Sequence, residues 1–337
     1  MKIKYNLLSF LVITLLLVGC NKEDDGLTRV EEADRGEQQI IDNDSLVGYL
    51  ETHYFNSMEL MSNSNPSMDD IIITKLEEGE SVPIDHTLLI NAVETYQTVF
   101  EETNYDYYVL RINQGGGDES PNFADSVRLN YRGNLQDETV FDSSVTPVVF
   151  DLTNLIPGWS RVIPQFNTAE SFVLNGDGTV SFDDAGVGMM FIPSGLAYFS
   201  GAVPGVPVYS NLIFRFELFQ FEENDHDQDG IPSYLEDIDD DTNLADDDSD
   251  EDNLANFVDV DDDNDGVLTI NELIRTEYTV DTNMGEEEPV LAVNEFELSR
   301  SEENGIITII TGTIIDADNN GIDDYLDEDV ATDYTEE

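Results

Sequence analysis

Oxygen-bearing side chains at regular spacing are the most explicit chemistry in this 337-residue chain. Asp225, Asp227 and Asp229 stand at alternate positions before Gly230, and Glu236 closes a twelve-residue segment. The spacing returns at Asp261, Asp263, Asp265, Gly266 and Glu272, and at Asp316, Asp318, Asn320, Gly321 and Asp327. Alternate oxygens, a glycine for the sharp turn and a closing acid at position twelve can wrap a hard divalent cation. The template predicts calcium as a structural ion. Position seven would use the backbone carbonyls of Ile231, Val267 and Ile322, and position nine Ser233, Thr269 and Asp324. Asp237-Ile238-Asp239-Asp240-Asp241 and Asp246-Asp247-Asp248-Ser249-Asp250 read as degenerate copies without the glycine. His226, at position two, is expected to point outward. The plainer alternative is an acidic, disordered tail.

A second set of residues is apolar. Tyr131, Phe141, Phe150, Trp159, Phe166, Tyr198, Phe199 and Phe214 fall within Phe123–Phe219, on segments that alternate apolar and polar residues. That pattern predicts strands lining one apolar concavity. The plainer reading of each ring is core packing.

The elements that must position these residues follow from pattern and composition. The net charge of −61 excludes nucleic-acid binding, which needs a basic surface. Residues 221–337 hold 41 of the 74 acids and 2 of the 13 basic residues, so the charge is concentrated in a tail. Gly26 to Ile40 is polar and reads as a flexible tether. Asp44 reads as the N-cap of a short amphipathic helix to Phe55, with His53 a half-buried structural residue. Met58–Met68 reads as a loop, Ile71–Leu76 as a strand, and Leu88–Phe100 as helix or strand. Tyr105–Asn113 alternates and reads as a strand. Val127–Tyr131 does likewise, with Gly133 permitting a turn. Pro157-Gly158-Trp159 starts a short helix, since proline's missing N–H is harmless in the first turn. Asn175-Gly176-Asp177-Gly178 signals a hairpin. Pro289–Ile315 reads as a small strand pair. The predicted division is a 1–20 leader, a 21–40 tether, a 41–113 accessory region, a 114–221 domain and a 222–337 repeat region.

Three segments of the 114–221 domain carry a family resemblance. VRLNYRGNLQDETVFDSS, LIPGW, and IPSGLAY followed by LIFRFELFQF occur in that order. Together they resemble an FKBP-type peptidyl-prolyl isomerase domain. The resemblance implies an α+β fold, an antiparallel sheet wrapped around one short helix. It also implies an activity on Xaa-Pro bonds of polypeptide substrates that needs no cofactor. It places Trp159 under the proline ring and Tyr131, Phe141 and Phe214 around it. Leu155 and Ile156 would lie at the lip. The Ile156 N–H and the Tyr198 hydroxyl would hold substrate carbonyls, with Asp142 at the edge. The uncatalysed barrier is about 18–20 kcal/mol because rotation breaks amide resonance. The twisted amide loses charge separation, so a dry pocket favours it over the planar form. No tail residue is expected in that pocket.

Departures from the family accompany the match. Val145-Thr146-Pro147 stands where the family often has an arginine paired to the aspartate. Val148 replaces a pocket aromatic, and Phe199 replaces a glycine. SFVLNGDGTVSFDD is an insertion, read as an added hairpin near the pocket rim. DQDGIPSYLED, at the tail, resembles aspartate-rich repeats of bacterial surface proteins and the thrombospondin type 3 repeat.

The start of the chain resembles a lipoprotein leader. A basic start precedes the apolar run Leu7–Val18, too short for a confident membrane span, and LVGC resembles a bacterial lipobox ending on the single cysteine, Cys20. Lipid on Cys20 would tether the protein to the outer membrane, facing the periplasm or the cell exterior. The following NKEDD resembles a surface-export signal, or is a plain acidic tether. Two functional readings stay open: a tethered prolyl isomerase acting on extracytoplasmic proteins, and an FKBP-like chaperone or binding module without turnover on a calcium-stiffened surface lipoprotein.

Overall fold

The computed structural model describes residues 32–336. The expected leader, Cys20 and most of the expected tether lie outside the described residues. From Asp34 onward the chain forms one compact unit. No described helix is long and apolar enough to cross a membrane.

The first helix, α1, covers Arg35–Thr52; its N-cap, Asp34, lies ten residues before the expected Asp44, inside the predicted tether, and it ends at Thr52, not Phe55. Asp34 sets the start, because its carboxylate accepts the Glu37 N–H at 2.9 Å. The strands β1 (His53–Phe55), β2 (Ile73–Lys75) and β3 (Thr87–Leu88) form a small sheet, and a second helix, α2 (Ser57–Ser62), takes the first part of the expected Met58–Met68 loop.

The principal sheet has six antiparallel strands: β4 (Glu94–Phe100), β5 (Thr103–Asn113), β6 (Ser126–Leu135), β7 (Val140–Asp151), β10 (Gly186–Ile192) and β11 (Leu212–Glu222). Their order is β4-β5-β10-β11-β6-β7, and β8 (Ser171–Leu174) with β9 (Val180–Asp183) makes the inserted hairpin. Along β5, β10 and β11, alternate residues serve two cores. Val109, Met190, Phe214 and Phe216 face one core, with Trp159 and Val162 of the short helix α3 (Pro157–Val162). Leu110, Met189, Phe191 and Ile213 face the other, with Leu46, Tyr49 and Leu50 of α1. All seven residues of β10 are buried, as a central strand covered on both faces should be.

The expected boundary at 113/114 therefore falls inside this architecture. β4 and β5 are strands of the principal sheet, because β5 pairs with β10 from Asn113–Val187 to Tyr108–Phe191. Buried Asp42 ties α1 to the same unit, accepting the Ser194 N–H at 2.9 Å and its hydroxyl at 2.6 Å. Burial pushes the Asp42 carboxyl up, and the Ser194 and Gln38 bonds oppose that shift.

The inserted hairpin is not at the pocket rim. Phe182 stacks on Phe219 at 4.1 Å against the second core, on the opposite sheet face. Nor is Gly133 in a turn. It lies within β6, where a Cβ would come 2.5 Å from Phe141 and 2.8 Å from Phe214.

After β11 the chain runs through acidic loops to β12 (Ile274–Asp281), β13 (Glu295–Glu303) and β14 (Ile306–Thr313). These form a three-stranded sheet, not a pair, because β12 also pairs with β14. Ile231, Leu273, Phe296 and Tyr325 make a small core there. The tail docks on the principal domain: Asn224 Nδ2 donates to Ala124 O at 2.9 Å.

Candidate functional site

β6 and β7 carry Tyr131, Phe141 and Asp142, α3 carries Trp159, and β11 carries Phe214. With Leu155, Ile156 and Tyr198 they line one cavity of about 380 Å³, so all eight predicted residues converge. Phe150, one of the aromatic set expected around the concavity though not among those eight, lines it too, as do Asn154 and Pro157, which sequence reasoning missed. For Phe150 the signal was its position two residues after Val148 on β7, which puts both on one strand face.

Trp159, 3% exposed, is the floor. Its ring meets Tyr131 at 5.8 Å and Phe214 at 5.0 Å, tilted by 87° and 62°. Phe141 stands edge-on to Phe214 at 5.5 Å and is only half-buried, at the mouth. Edge-to-face packing of this kind stabilises each pair by about 0.5–1.5 kcal/mol beyond burial and fixes the rings. The close approach of Phe141 and Phe214 requires the absent Cβ of Gly133. Phe199 is elsewhere, T-shaped to Tyr209 at 5.0 Å, with the Arg35 guanidinium 4.4 Å from its ring centre.

Polar groups are confined to the edge. The Tyr131 hydroxyl donates to Asp142 Oδ2 at 2.6 Å, and the Ser143 N–H donates to Oδ1 at 2.8 Å. Where the family often has an arginine, this aspartate is thus held by a tyrosine. Burial and then the Asp142 bond hold the Tyr131 hydroxyl well above its ordinary pKa. Burial and then the Asp142 charge raise Tyr198 also. Among the described residues, no histidine, lysine or serine lines the cavity. Such a site suits binding a planar apolar ring and stripping water from its amide.

The acidic loops share one local geometry. Gly230, Gly266 and Gly321 have φ of 96°, 97° and 94°, the left-handed region in which only glycine is at ease. The position-six N–H reaches back to the first aspartate: Gly230 to Asp225 at 3.1 Å, Gly321 to Asp316 at 2.9 Å. Two further loops repeat the bond with other residues in the glycine place. Thr242, at φ 67°, donates to Asp237 at 2.9 Å, and Asn253, at φ 79°, donates to Asp248 at 3.0 Å. The second degenerate copy therefore runs from Asp248 to Asn253, two residues later than its sequence suggested.

Position nine has a different task from the one expected. Ser233, Thr269 and Asp324 each accept the N–H of position two, at 3.2, 3.3 and 2.8 Å. They clamp the loop on itself. His226 does not point outward. Its Nδ1 lies 2.8 Å from Ser233 Oγ and its Nε2 3.1 Å from Asp151 Oδ2, so it bridges tail and principal domain.

Carboxylate oxygens converge in several groups among the described residues: Asp225–Asp227–Asp229, Asp261–Asp263–Asp265, Asp237–Asp239–Asp241 and Asp248–Asp250–Asp252. Asp262, missed by the template, joins Asp229 and Glu236, so one cluster draws on two loops. Glu236 and Glu272, 0% and 1% exposed, have both oxygens buried without a hydrogen-bond partner. Burial, and then neighbouring aspartates, push Glu236 up to about 11 and Glu272 up to about 9. Buried carboxylates without donors are costly. An oxygen-only set of this kind fits a hard divalent cation. The loop at 316–327 differs. No group of three converging acids forms there, and Asn320 Nδ2 donates to Asp327 Oδ2 at 2.6 Å.

Residues 117–219 match the FKBP-type peptidyl-prolyl cis-trans isomerase family, and residues 226–295 match a family described as BamM C-terminal. FkpA, an FKBP-type peptidyl-prolyl cis-trans isomerase of Escherichia coli, is 34% identical over 113 residues, covering 33% of this chain and 36% of its own. The macrophage infectivity potentiator of Trypanosoma cruzi is 31% identical over 117 residues, covering 34% and 52%. The chain thus spans about a third to a half of the length of these relatives. The crystal structure of Escherichia coli FkpA aligns with a TM-score of 0.30 at 28% identity, covering 39% of this chain and 52% of that one.

Proposed function

We propose that the FKBP-type domain catalyses cis/trans isomerisation of Xaa-Pro bonds in polypeptides. The observation that carries this is the convergence of Trp159, Tyr131, Phe141 and Phe214 on one cavity with polar groups only at its edge. A proline ring seats on the Trp159 face. The surrounding rings exclude water, which favours the less polar twisted amide. The Tyr198 hydroxyl, and the Ile156 N–H at the start of α3, hold the flanking carbonyls. Asp142, fixed by Tyr131 and Ser143, presents negative charge beside the rotating bond. A protease-free isomerisation assay on residues 26–337 tests this. Rate enhancement supports it. A background rate with retained peptide binding replaces it with a binding module that grips proline segments without turnover.

Two accessory properties belong to the same reading. The acidic loops hold calcium as a structural ion, with Asp225, Asp227, Asp229, Glu236 and Asp262 around one site and Asp261, Asp263, Asp265 and Glu272 around another. The support is the buried, donor-free oxygens. Calorimetric titration with calcium should show binding heat that Glu272→Gln diminishes. Lipid on Cys20 tethers the protein to the outer membrane. The support is LVGC after an apolar run. Labelled fatty acid should enter the wild type and not Cys20→Ser.

A further inference from the structure

Beside the aromatic cavity lies a second, of about 210 Å³, bounded on one side by the principal domain and on the other by the tail. The two cavities share Leu155 and Pro157. The tail contributes Thr242, Asn243, Leu244, Ala245 and Phe257, opposite Phe100 and Arg161. Volume of this order would hold about seven waters, or one large side chain. Its far wall is the segment between two acidic loops, 237–242 and 248–253, so tail geometry shapes it directly.

Arg161 is the unusual group here. It is 9% exposed and, among the described residues, forms no ion pair with an acid. Nε donates to Thr98 Oγ1 at 3.2 Å, and Nη1 donates to Pro157 O and Ser160 Oγ, both at 3.2 Å. Nη2 is buried with no hydrogen-bond partner. A buried guanidinium N–H without an acceptor is expensive, and a bound carbonyl would satisfy it.

We propose that this groove is a subsite for the substrate residue next to the proline. It would take a bulky apolar side chain against Leu244 and Phe257, with a backbone carbonyl of the same chain accepting from Arg161. The inference rests on the isomerase reading for the position of the proline. Leu155 and Pro157 line both cavities, and an extended chain advances about 3.3–3.6 Å per residue, so a substrate that crosses this rim from Trp159 enters the groove. The tail then acts as a specificity wall.

The test compares two proline peptides, one with leucine or phenylalanine beside the proline and one with alanine there, on the full chain and on Ala245→Trp. Ala245 is exposed, so tryptophan there fills the groove without opening a core. The wild type should prefer the bulky peptide about tenfold in kcat/KM, and Ala245→Trp should abolish that ratio. Calorimetric binding of both peptides reads the same ratio without turnover. If neither peptide is isomerised yet binding keeps the preference, the isomerase reading falls and the groove stands. No preference in the wild type, or a preference unchanged in Ala245→Trp, overturns the groove.

Discussion

The aromatic pocket and the acidic loops solve the same problem in opposite ways. In each, the chain brings together groups that would otherwise be in water. The pocket does so with uncharged rings that pack on each other, and its one carboxylate, Asp142, accepts on both oxygens. The loops do so with charges. Among the described residues, 13 of the 21 buried side-chain nitrogens and oxygens lacking a partner are carboxylate oxygens between Asp227 and Glu272. The pocket is complete as protein. The loops leave those oxygens unpaired, and the proposed cation would bind them. One region should therefore depend on packing alone, and the other on solution conditions.

Removing divalent cations should break the contrast most sharply. Residues 222–337 carry net −39, and that repulsion opposes compaction. At each proposed site, calcium at a hundred times its dissociation constant would stabilise the fold by about 2.7 kcal/mol through mass action. With chelator, chymotrypsin should strip the tail while the principal domain resists. A tail equally resistant with and without chelator would show that the loops hold themselves. Trp159→Ala comes next. It should cost about 3–5 kcal/mol, the usual range for emptying a buried aromatic site. It should also remove isomerase activity, without altering calcium heats. Phe141→Ala, at the mouth, should lose activity with a smaller fall in melting temperature. Unchanged activity in both would mean that the rings are only a core.

A subtler substitution sharpens the pocket half of the comparison. Gly133→Ala adds one methyl group where Phe141 and Phe214 meet. Overpacking of this kind costs about 1–3 kcal/mol, and the displaced rings should lower kcat/KM about tenfold. Normal kinetics in a fully folded variant would show that the mouth has slack.

How legible these features were in the sequence depended on the range of the interactions behind them. The pocket's eight residues were readable because their motifs carry a family resemblance, and the loops were readable because their acids and glycine repeat within twelve residues. Contacts between distant segments left no such mark. That β5 is a strand shows in YDYYVLRIN. That it pairs with β10 is a long-range fact, and it moved the domain boundary. The helix start at Asp34 was missed because α1 buries only a narrow stripe, with Ile40 and Ile41 exposed. His226 was misread because its partner, Asp151, is 75 residues away. Asp262 was passed over because the template assigns no ligand at position two, whereas here it reaches the neighbouring loop.

The smallest expected effect lies where the two regions meet. Asp125, fully buried below the start of the tail, accepts the Asn122 N–H on Oδ2 at 2.6 Å, while Oδ1 has no partner. Burial pushes its carboxyl up to about 6, against the opposing pull of bonds from Asn122 and Asn224 and the His226 charge. A folded value above the unfolded one sets the sign. The stabilisation is complete below about 3.8 and is lost as pH rises through about 6. At neutral pH the carboxylate is charged in both states, buried in the folded one and solvated in the unfolded one. Asp125→Asn keeps the acceptor for Asn122 and removes the titration. The melting temperature of the wild type relative to this variant should be highest near pH 4 and fall towards pH 7. The change is on the order of 1–2 kcal/mol after allowance for screening. Measuring both proteins in saturating calcium holds the loops fixed, so the difference isolates the junction. A difference independent of pH would mean that water or a neighbouring donor reaches Oδ1, and that the junction is not dry.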